Sequence, residues 1–299
     1  MKGVIFDIDH FAVHDGAGIR TSIYLKGCIL NCIWCHSPES QKFKPELLFI
    51  ASRCTGCGAC VAACKFGAQE FDLYGKRVYN REGCRNCGVC VKSCAYEAMV
   101  LCGKEISDQE VAYEGIQDIT FFQNSGGGVT LTGGEVLQQA SFAINILKEL
   151  KINGIHTIVE TSGMGHWKDL EEMYPLVDLF YYDLKLINPI KHLEFTGKRN
   201  DLILENLKRL RTVTDKIVLR IPLIPGYTDG CENIMSIYEF AADNKITEVH
   251  LLPYNSNASA KYEWLAKTYV PGELMTQSKT YLELLKEKAP KQISVKIII

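Results

Sequence analysis

The chain of 299 residues carries 33 basic and 35 acidic side chains, a formal net charge of −2. That balance supplies no electrostatic footprint for nucleic acid or an anionic membrane, and no apolar run approaches the roughly 18 residues of a membrane-spanning helix. Its composition, 47% hydrophobic and 23% charged, is that of a globular protein built as one large domain or as one domain with an insert.

The chain opens on MKGVIFDIDHF, which lacks the apolar core of a signal peptide. Thirteen cysteines in such a chain argue against a disulfide framework and for metal–thiolate chemistry in a reducing cytoplasm. Iron–sulfur clusters are usually oxygen-sensitive, so anaerobic metabolism is expected. Val4-Ile5-Phe6 starts a strand, the run His14-Asp15-Gly16-Ala17-Gly18-Ile19-Arg20 is a tight turn, and Thr21 to Lys26 is a second strand. This strand feeds Cys28, Cys32 and Cys35, spaced C-x3-C-x2-C, with Trp34 just before the third. Three thiolates on one short loop can hold three irons of a 4Fe–4S cluster and leave the fourth open, much as an open position marks a catalytic metal. A structural zinc loop is the alternative, although zinc sites usually come as paired C-x2-C knuckles.

From about residue 50 the pattern changes. Cys54, Cys57, Cys60 and Cys64 form C-x2-C-x2-C-x3-C, and Cys84, Cys87, Cys90 and Cys94 repeat it thirty residues later. This is the signature of a two-cluster bacterial ferredoxin, in which the fourth cysteine of each run ligates the other cluster. Cys54, Cys57, Cys60 and Cys94 are therefore expected on one cluster, and Cys84, Cys87, Cys90 and Cys64 on the second. Lys65 and Ala95 stand where a proline usually follows the fourth cysteine. Clusters with all four thiolates suit electron transfer, with a purely structural role as the alternative.

Ser107-Asp108-Gln109-Glu110 is a capping box that predicts a helix start. Strand and helix then alternate. Val129 to Thr132 is a strand ending in Gly133-Gly134-Glu135, and a helix runs from about Leu137 to Ile152, where Gly154 can end it. Further strands are expected at His156–Glu160, Leu179–Leu184, Ile217–Ile221, Glu248–Leu252 and Ser294–Ile298, with a helix at Asp201–Arg211. Such alternation implies a parallel sheet with crossover helices. Polar residues gather after these strands, at the end of the sheet where barrel-type folds carry their active sites.

In order, HDGAGIR, WCHSPES, TGGE, ETSG, YYDLK, RIPLIPGYTD and LLPYN resemble the radical S-adenosylmethionine superfamily. More narrowly they resemble the activating enzymes of glycyl radical enzymes, in the branch with a ferredoxin-like insert. The likeness spans essentially the whole chain. It implies an α/β fold: a partial (βα)6 TIM-type barrel over residues 1–48 and 105–299, and an inserted ferredoxin-like domain with two 4Fe–4S clusters over 49–104. It also implies a third 4Fe–4S cluster on Cys28, Cys32 and Cys35, whose open iron is chelated by S-adenosylmethionine.

By the same resemblance Gly133, Gly134 and Glu135 meet the amino group of S-adenosylmethionine, and Trp34 and His36 lie near its nucleoside. Lys185 and Arg220 face its carboxylate or ribose, and Asn255 is an adenine contact. Glu160, Thr161, Asp183 and the Leu184 carbonyl correspond to a monovalent-cation site. Asp15 binds the partner's glycine loop. A flavodoxin- or ferredoxin-type donor reduces the cluster, S-adenosylmethionine is cleaved, and the resulting 5′-deoxyadenosyl radical takes hydrogen from a glycine of the partner enzyme. A cytoplasmic monomer without nucleic-acid or membrane partners is expected. Ala17, Ser37, Val136 and Asn255 depart from the family pattern, which has proline, asparagine, proline and histidine there. The competing readings are a radical S-adenosylmethionine enzyme acting on a small molecule or another peptide, and an electron-transfer protein without catalysis.

Overall fold

The computed structural model describes residues 1–298. Its strands are β1 (Lys2–Ala12), β2 (Arg20–Leu25), β3 (Glu46–Phe49), β4 (Gln69–Phe71), β5 (Arg77–Tyr79), β6 (Met99–Cys102), β7 (Lys104–Ser107), β8 (Gly128–Gly133), β9 (Thr157–Thr161), β10 (Leu179–Asp183), β11 (Ile217–Pro222), β12 (Glu248–Leu252) and β13 (Ser294–Ile297). Nine of them form one open sheet, in the order β13-β12-β11-β10-β9-β8-β2-β1-β7. From β2 to β13 this sheet is parallel, and β1 and β7 extend it antiparallel. The barrel is thus partial. The strand expected at Ser294–Ile298 forms as β13 and, registering Ser294–Ile297 on Glu248–Leu251 of β12, stands as a seventh parallel strand beside the six of a (βα)6 unit.

Crossover helices seal the outer face. Ala140–Ile152 buries Phe142, Ala143, Ile146, Leu147 and Leu150, and Asp201–Val213 buries Ile203, Leu207 and Leu210. After the first of these, the Gly154 N–H donates to the Lys151 carbonyl with φ at +67°, a left-handed stop suited to glycine. The Ser107 capping box is formed, with both reciprocal bonds to Glu110 in place.

Side chains alternate across a strand, and here the alternation divides core from site. Val129, Leu131, Val159, Phe180, Tyr182, Leu219, Val249 and Leu251 join the main core. The residues between them point inward: Thr130 and Thr132 on β8, Glu160 on β9, Tyr181 and Asp183 on β10, Arg220 on β11 and His250 on β12. Parallel register aligns Tyr181 with Glu160, Asp183 with Arg220, and Arg220 with His250.

Between β2 and β7 the chain leaves the sheet. β3 and β6 pair as an antiparallel ribbon, and β4 and β5 form a hairpin. The short helices Ala59–Ala63 and Val89–Lys92 each follow a left-handed glycine, Gly58 and Gly88. The expected boundaries at 48/49 and 104/105 fall inside β3 and β7 respectively. The ladder bonds of β3 to β6 tie Glu46–Phe49 to the insert, and those of β7 to β1 tie Lys104 to the barrel.

Candidate active site

The three-cysteine loop leaves the C-terminal end of β2 and is pinned from three sides. The Gly27 N–H donates to the Ser40 carbonyl (2.6 Å), the Asn31 N–H to Thr196 (2.7 Å) and the Ile33 N–H to Phe195 (3.0 Å). Gly134 and Glu135 clamp its base, their N–H groups donating to Leu25 and Gly27 at 2.8 Å each. Gly133 sits at φ +112°, and a Cβ on Gly134 would strike the Gly27 carbonyl oxygen. The glycines of TGGE thus permit a backbone-to-backbone approach that fixes the cysteine loop.

Burial pushes the thiols of Cys28, Cys32 and Cys35 up to about 12, so loading iron there must remove protons. Lys185 lies within electrostatic reach of all three. Burial works against its ammonium, but Asp183, Cys32 and Cys28 outweigh that and hold it above the usual lysine range. A cation beside a cluster of thiolates offsets their charge, which fits the residues present to an anionic cluster.

The expected S-adenosylmethionine and cation residues form two linked networks at the strand ends. The buried Glu135 carboxylate accepts from the Leu137 N–H (3.1 Å), the Ser162 N–H (2.9 Å), and the Thr161 and Ser162 hydroxyls. It therefore holds β8 to the end of β9. Glu160 accepts from the Thr132 hydroxyl (2.7 Å) and from Arg220 Nη1 (2.7 Å), and Asp183 takes Lys185 Nζ at 3.0 Å. Asp183 Oδ1 and Arg220 Nε are buried without hydrogen-bond partners. Leu184 is fully buried, its N–H donating to the Arg220 carbonyl.

The remaining site residues are spread around this mouth. Trp34 is buried, its ring 6.3 Å from that of Phe195 and 6.1 Å from that of Tyr227. His36 meets Tyr254 edge-on at 6.4 Å. Asn255 is exposed and spends its side-chain oxygen on the Asn257 N–H (3.0 Å). Asp15 accepts from the Ser22 hydroxyl (2.6 Å) and the Tyr24 hydroxyl (3.0 Å) on β2, so its carboxylate is anchored internally beside the mouth.

In the insert, one cavity is lined by Cys54, Cys57, Cys60 and Cys94, and a second by Cys64, Cys84, Cys87 and Cys90. The thiols surround volumes, as a cubane requires when each thiolate takes a different iron.

Several residues outside the expected set also shape the site. Arg20, fully buried, donates to the Thr130 hydroxyl and the Val129 carbonyl, both at 2.7 Å, and ties the HDGAGIR turn to β8. Tyr181 lies under the Arg220 guanidinium at 4.8 Å from its ring centroid. Tyr262 reaches the Ile33 carbonyl of the cysteine loop. Arg20 and Tyr181 had a signal, as the last residue of HDGAGIR and the first of YYDLK, whereas Tyr262 is set by a late helix outside every motif.

The family model for the radical SAM superfamily matches residues 81–241, and that for a 4Fe-4S dicluster domain matches residues 53–98. The trans-4-hydroxy-L-proline dehydratase activating enzyme of Clostridioides difficile is 40% identical over 96% of this chain and 95% of its own. The indoleacetate decarboxylase activating enzyme of Tractidigestivibacter scatoligenes is 37% identical over 90% of this chain and 88% of its own. The isethionate sulfite-lyase activating enzyme of Oleidesulfovibrio alaskensis is 37% identical over 91% and 90%. With these relatives matched nearly end to end, the chain belongs to the radical S-adenosylmethionine superfamily, among the activating enzymes of glycyl radical enzymes.

Proposed function

We propose that this protein places a radical on a glycine of a partner enzyme, working at the mouth formed by Cys28, Cys32 and Cys35. The observation that carries this reading is the convergence on one end of the sheet of the cysteine loop, the Gly134–Glu135 clamp, and the Asp183–Lys185 and Glu160–Arg220 pairs. With an iron–sulfur cluster and S-adenosylmethionine bound there, reductive cleavage of the sulfur–C5′ bond supplies the 5′-deoxyadenosyl radical that takes a hydrogen atom from the glycine.

The chain's own residues bind and orient. Cys28, Cys32 and Cys35 hold the cluster, and the Gly134 and Glu135 backbone sets the height of their loop. Lys185 and Arg220 present cations toward a carboxylate or ribose, and His36 and Tyr254 offer ring faces and edges near the nucleoside position. The buried, partnerless Asp183 Oδ1 supports an added cation among Asp183, Glu160, Thr161 and the Leu184 carbonyl. Glu160 is already paired with Arg220, so such a cation would share that carboxylate. A mouth walled by the buried core excludes water from the reacting atoms. Asp15, braced by Ser22 and Tyr24, stiffens the turn offered to the partner's glycine loop.

The two sets of four insert cysteines hold two further clusters in this reading, supplied by a flavodoxin- or ferredoxin-type donor. The names of the relatives span a dehydratase, a decarboxylase and a sulfite-lyase, so the partner's chemistry is not chosen by likeness. The test is to mix the reduced, reconstituted protein and S-adenosylmethionine with purified glycyl radical enzymes, one at a time; in each case the enzyme is the readout. A glycine-centred radical in its electron paramagnetic resonance spectrum supports the reading. Cleavage of S-adenosylmethionine with no protein radical on any glycyl radical enzyme tested would shift it to a small-molecule or other peptide substrate.

A further inference from the structure

The β3/β6 ribbon sets the order of the two insert cavities relative to the barrel. Its register pairs Glu46 with Cys102, Leu47 with Leu101, Leu48 with Val100 and Phe49 with Met99. The Glu46/Cys102 end lies against the barrel: Glu46 takes Lys42 at 2.6 Å, and Gly103 leaves no room for a Cβ beside the stem of Lys26. Lys26 stands two residues before Cys28. Next along β3, Leu47 lines the cavity of Cys64, Cys84, Cys87 and Cys90. Two residues further, roughly 7 Å at the rise of a strand, Phe49 and Met99 line the cavity of Cys54, Cys57, Cys60 and Cys94. The first cavity is inner and the second outer.

A continuous run of contacts joins the inner cavity to the three-cysteine loop. Tyr79 packs with Cys84 against the buried cluster of Leu47, Cys90 and Met99. Arg81 lies over the Tyr79 ring at 4.8 Å and donates to the Trp264 carbonyl at 3.3 Å. On the same short helix, Ser259–Trp264, the Tyr262 hydroxyl donates to the Ile33 carbonyl at 3.5 Å, between Cys32 and Cys35.

The outer cavity has an exposed apolar rim. Phe71 and Tyr96 line it and reach solvent, and two residues beyond Phe71 the β4/β5 hairpin tip presents Leu73, 100% exposed, and Tyr74, 93% exposed. Residues 53–98 carry seven basic against four acidic side chains within a chain of net charge −2. Exposed Arg53 and Lys76 stand on this part of the surface. Contiguous apolar side chains flanked by cations suit an acidic protein partner.

We propose that electrons enter this protein at the outer cavity, from an acidic electron-carrier protein docked on Phe71, Leu73, Tyr74 and Tyr96, and pass through the inner cavity to the loop of Cys28, Cys32 and Cys35. The inference rests on the reading that the eight insert cysteines hold two clusters. One electron leaves the carrier; each hop oxidises one centre as it reduces the next, with no bond or proton changing hands. The electron is consumed in the cleavage of S-adenosylmethionine.

The test uses the full-length reconstituted protein. Iron content comes first: a shortfall of the about eight irons expected in the insert would refute the cluster reading and with it the electron path. With reduced flavodoxin as the probe, Leu73→Glu/Tyr74→Glu is expected to weaken binding about tenfold or more by titration calorimetry, through like-charge repulsion and lost apolar contact. Its dithionite-driven release of 5′-deoxyadenosine stays at the wild-type level. Phe66→Glu, on the inner rim, is expected to bind flavodoxin like the wild type. The opposite pattern, or no binding of flavodoxin or ferredoxin to the wild type, overturns the port. Freeze-quench paramagnetic resonance reads the order: Cys87→Ala keeps an outer centre that flavodoxin reduces at the wild-type rate. Cys57→Ala keeps an inner centre that dithionite reduces and flavodoxin does not. Reduction of that inner centre by flavodoxin at the wild-type rate overturns the order.

Discussion

Arg220 Nη1 donates to Glu160 Oε1 at 2.7 Å across the intervening strand β10, with Tyr181 of that strand beneath the guanidinium at 4.8 Å. The pair ties β9 to β11 inside the mouth, where burial lifts the Glu160 carboxyl above its usual range and Arg220 opposes that lift. Removing one partner of such a pair leaves the other buried and uncompensated. Arg220→Met is therefore expected to lose about 3–5 kcal/mol, measured by urea unfolding. Arg220→Met/Glu160→Gln should recover part of the loss; a double variant no more stable than the single one would deny that the pair is coupled.

Glu135 is an internal strut. Its carboxylate takes donors from Thr161, Ser162 and Leu137. Glu135→Gln presents an amide N–H₂ to groups that are themselves donors and leaves at least one unsatisfied. The expected cost is about 1–3 kcal/mol in unfolding free energy, together with weaker binding of S-adenosylmethionine in equilibrium dialysis. Unchanged stability would mean that the carboxylate is free to serve the ligand alone.

Gly134→Ala tests the close approach of TGGE to the cysteine loop. The added methyl meets the Gly27 carbonyl, and overpacking of this kind costs about 1–3 kcal/mol. Because the displaced backbone carries Cys28, iron uptake by the three-cysteine site should fall while the insert keeps its iron. Mössbauer spectroscopy resolves the two populations. A variant with wild-type iron at all sites would contradict the clamp.

The eight insert cysteines were legible because two C-x2-C-x2-C-x3-C runs prescribe which thiols share a volume, and the cavities enclose those same sets of four. Strand–helix alternation likewise announced the parallel sheet. The strand order was not legible, and with it went the Glu160–Arg220 pair, sixty residues apart in sequence and joined only through β10. β1 illustrates the limit of local pattern: its Asp7, Asp9 and His10 break the apolar run after Phe6, yet pairing with β2 carries the strand to Ala12. The expected contact of Gly134 with the ligand says nothing of its neighbour Gly27, and it is the absent Cβ that lets those two backbones meet.

The acid limb of stability should report Asp178. Burial disfavours its carboxylate, but Lys151, the Thr157 N–H and His156 outweigh that and hold its pKa below the usual carboxylate value. A depressed folded pKa gives stability that is present above the unfolded value, near 3.9, and lost as pH falls through the folded value. Asp178→Asn should lower stability at pH 7 by about 1 kcal/mol and flatten the fall below pH 4. Thermal unfolding across pH 2.5 to 7 measures both, and an unchanged acid limb would remove Asp178 from the account.

The central claim is that Cys28, Cys32 and Cys35 hold the centre at which S-adenosylmethionine is cleaved. Its most direct measurement is 5′-deoxyadenosine released by the dithionite-reduced, reconstituted protein, compared with Cys28→Ala. The wild type is expected to release it, and the variant to lose both release and about four irons per chain, with the insert's iron retained. Release by Cys28→Ala at the wild-type rate would contradict it.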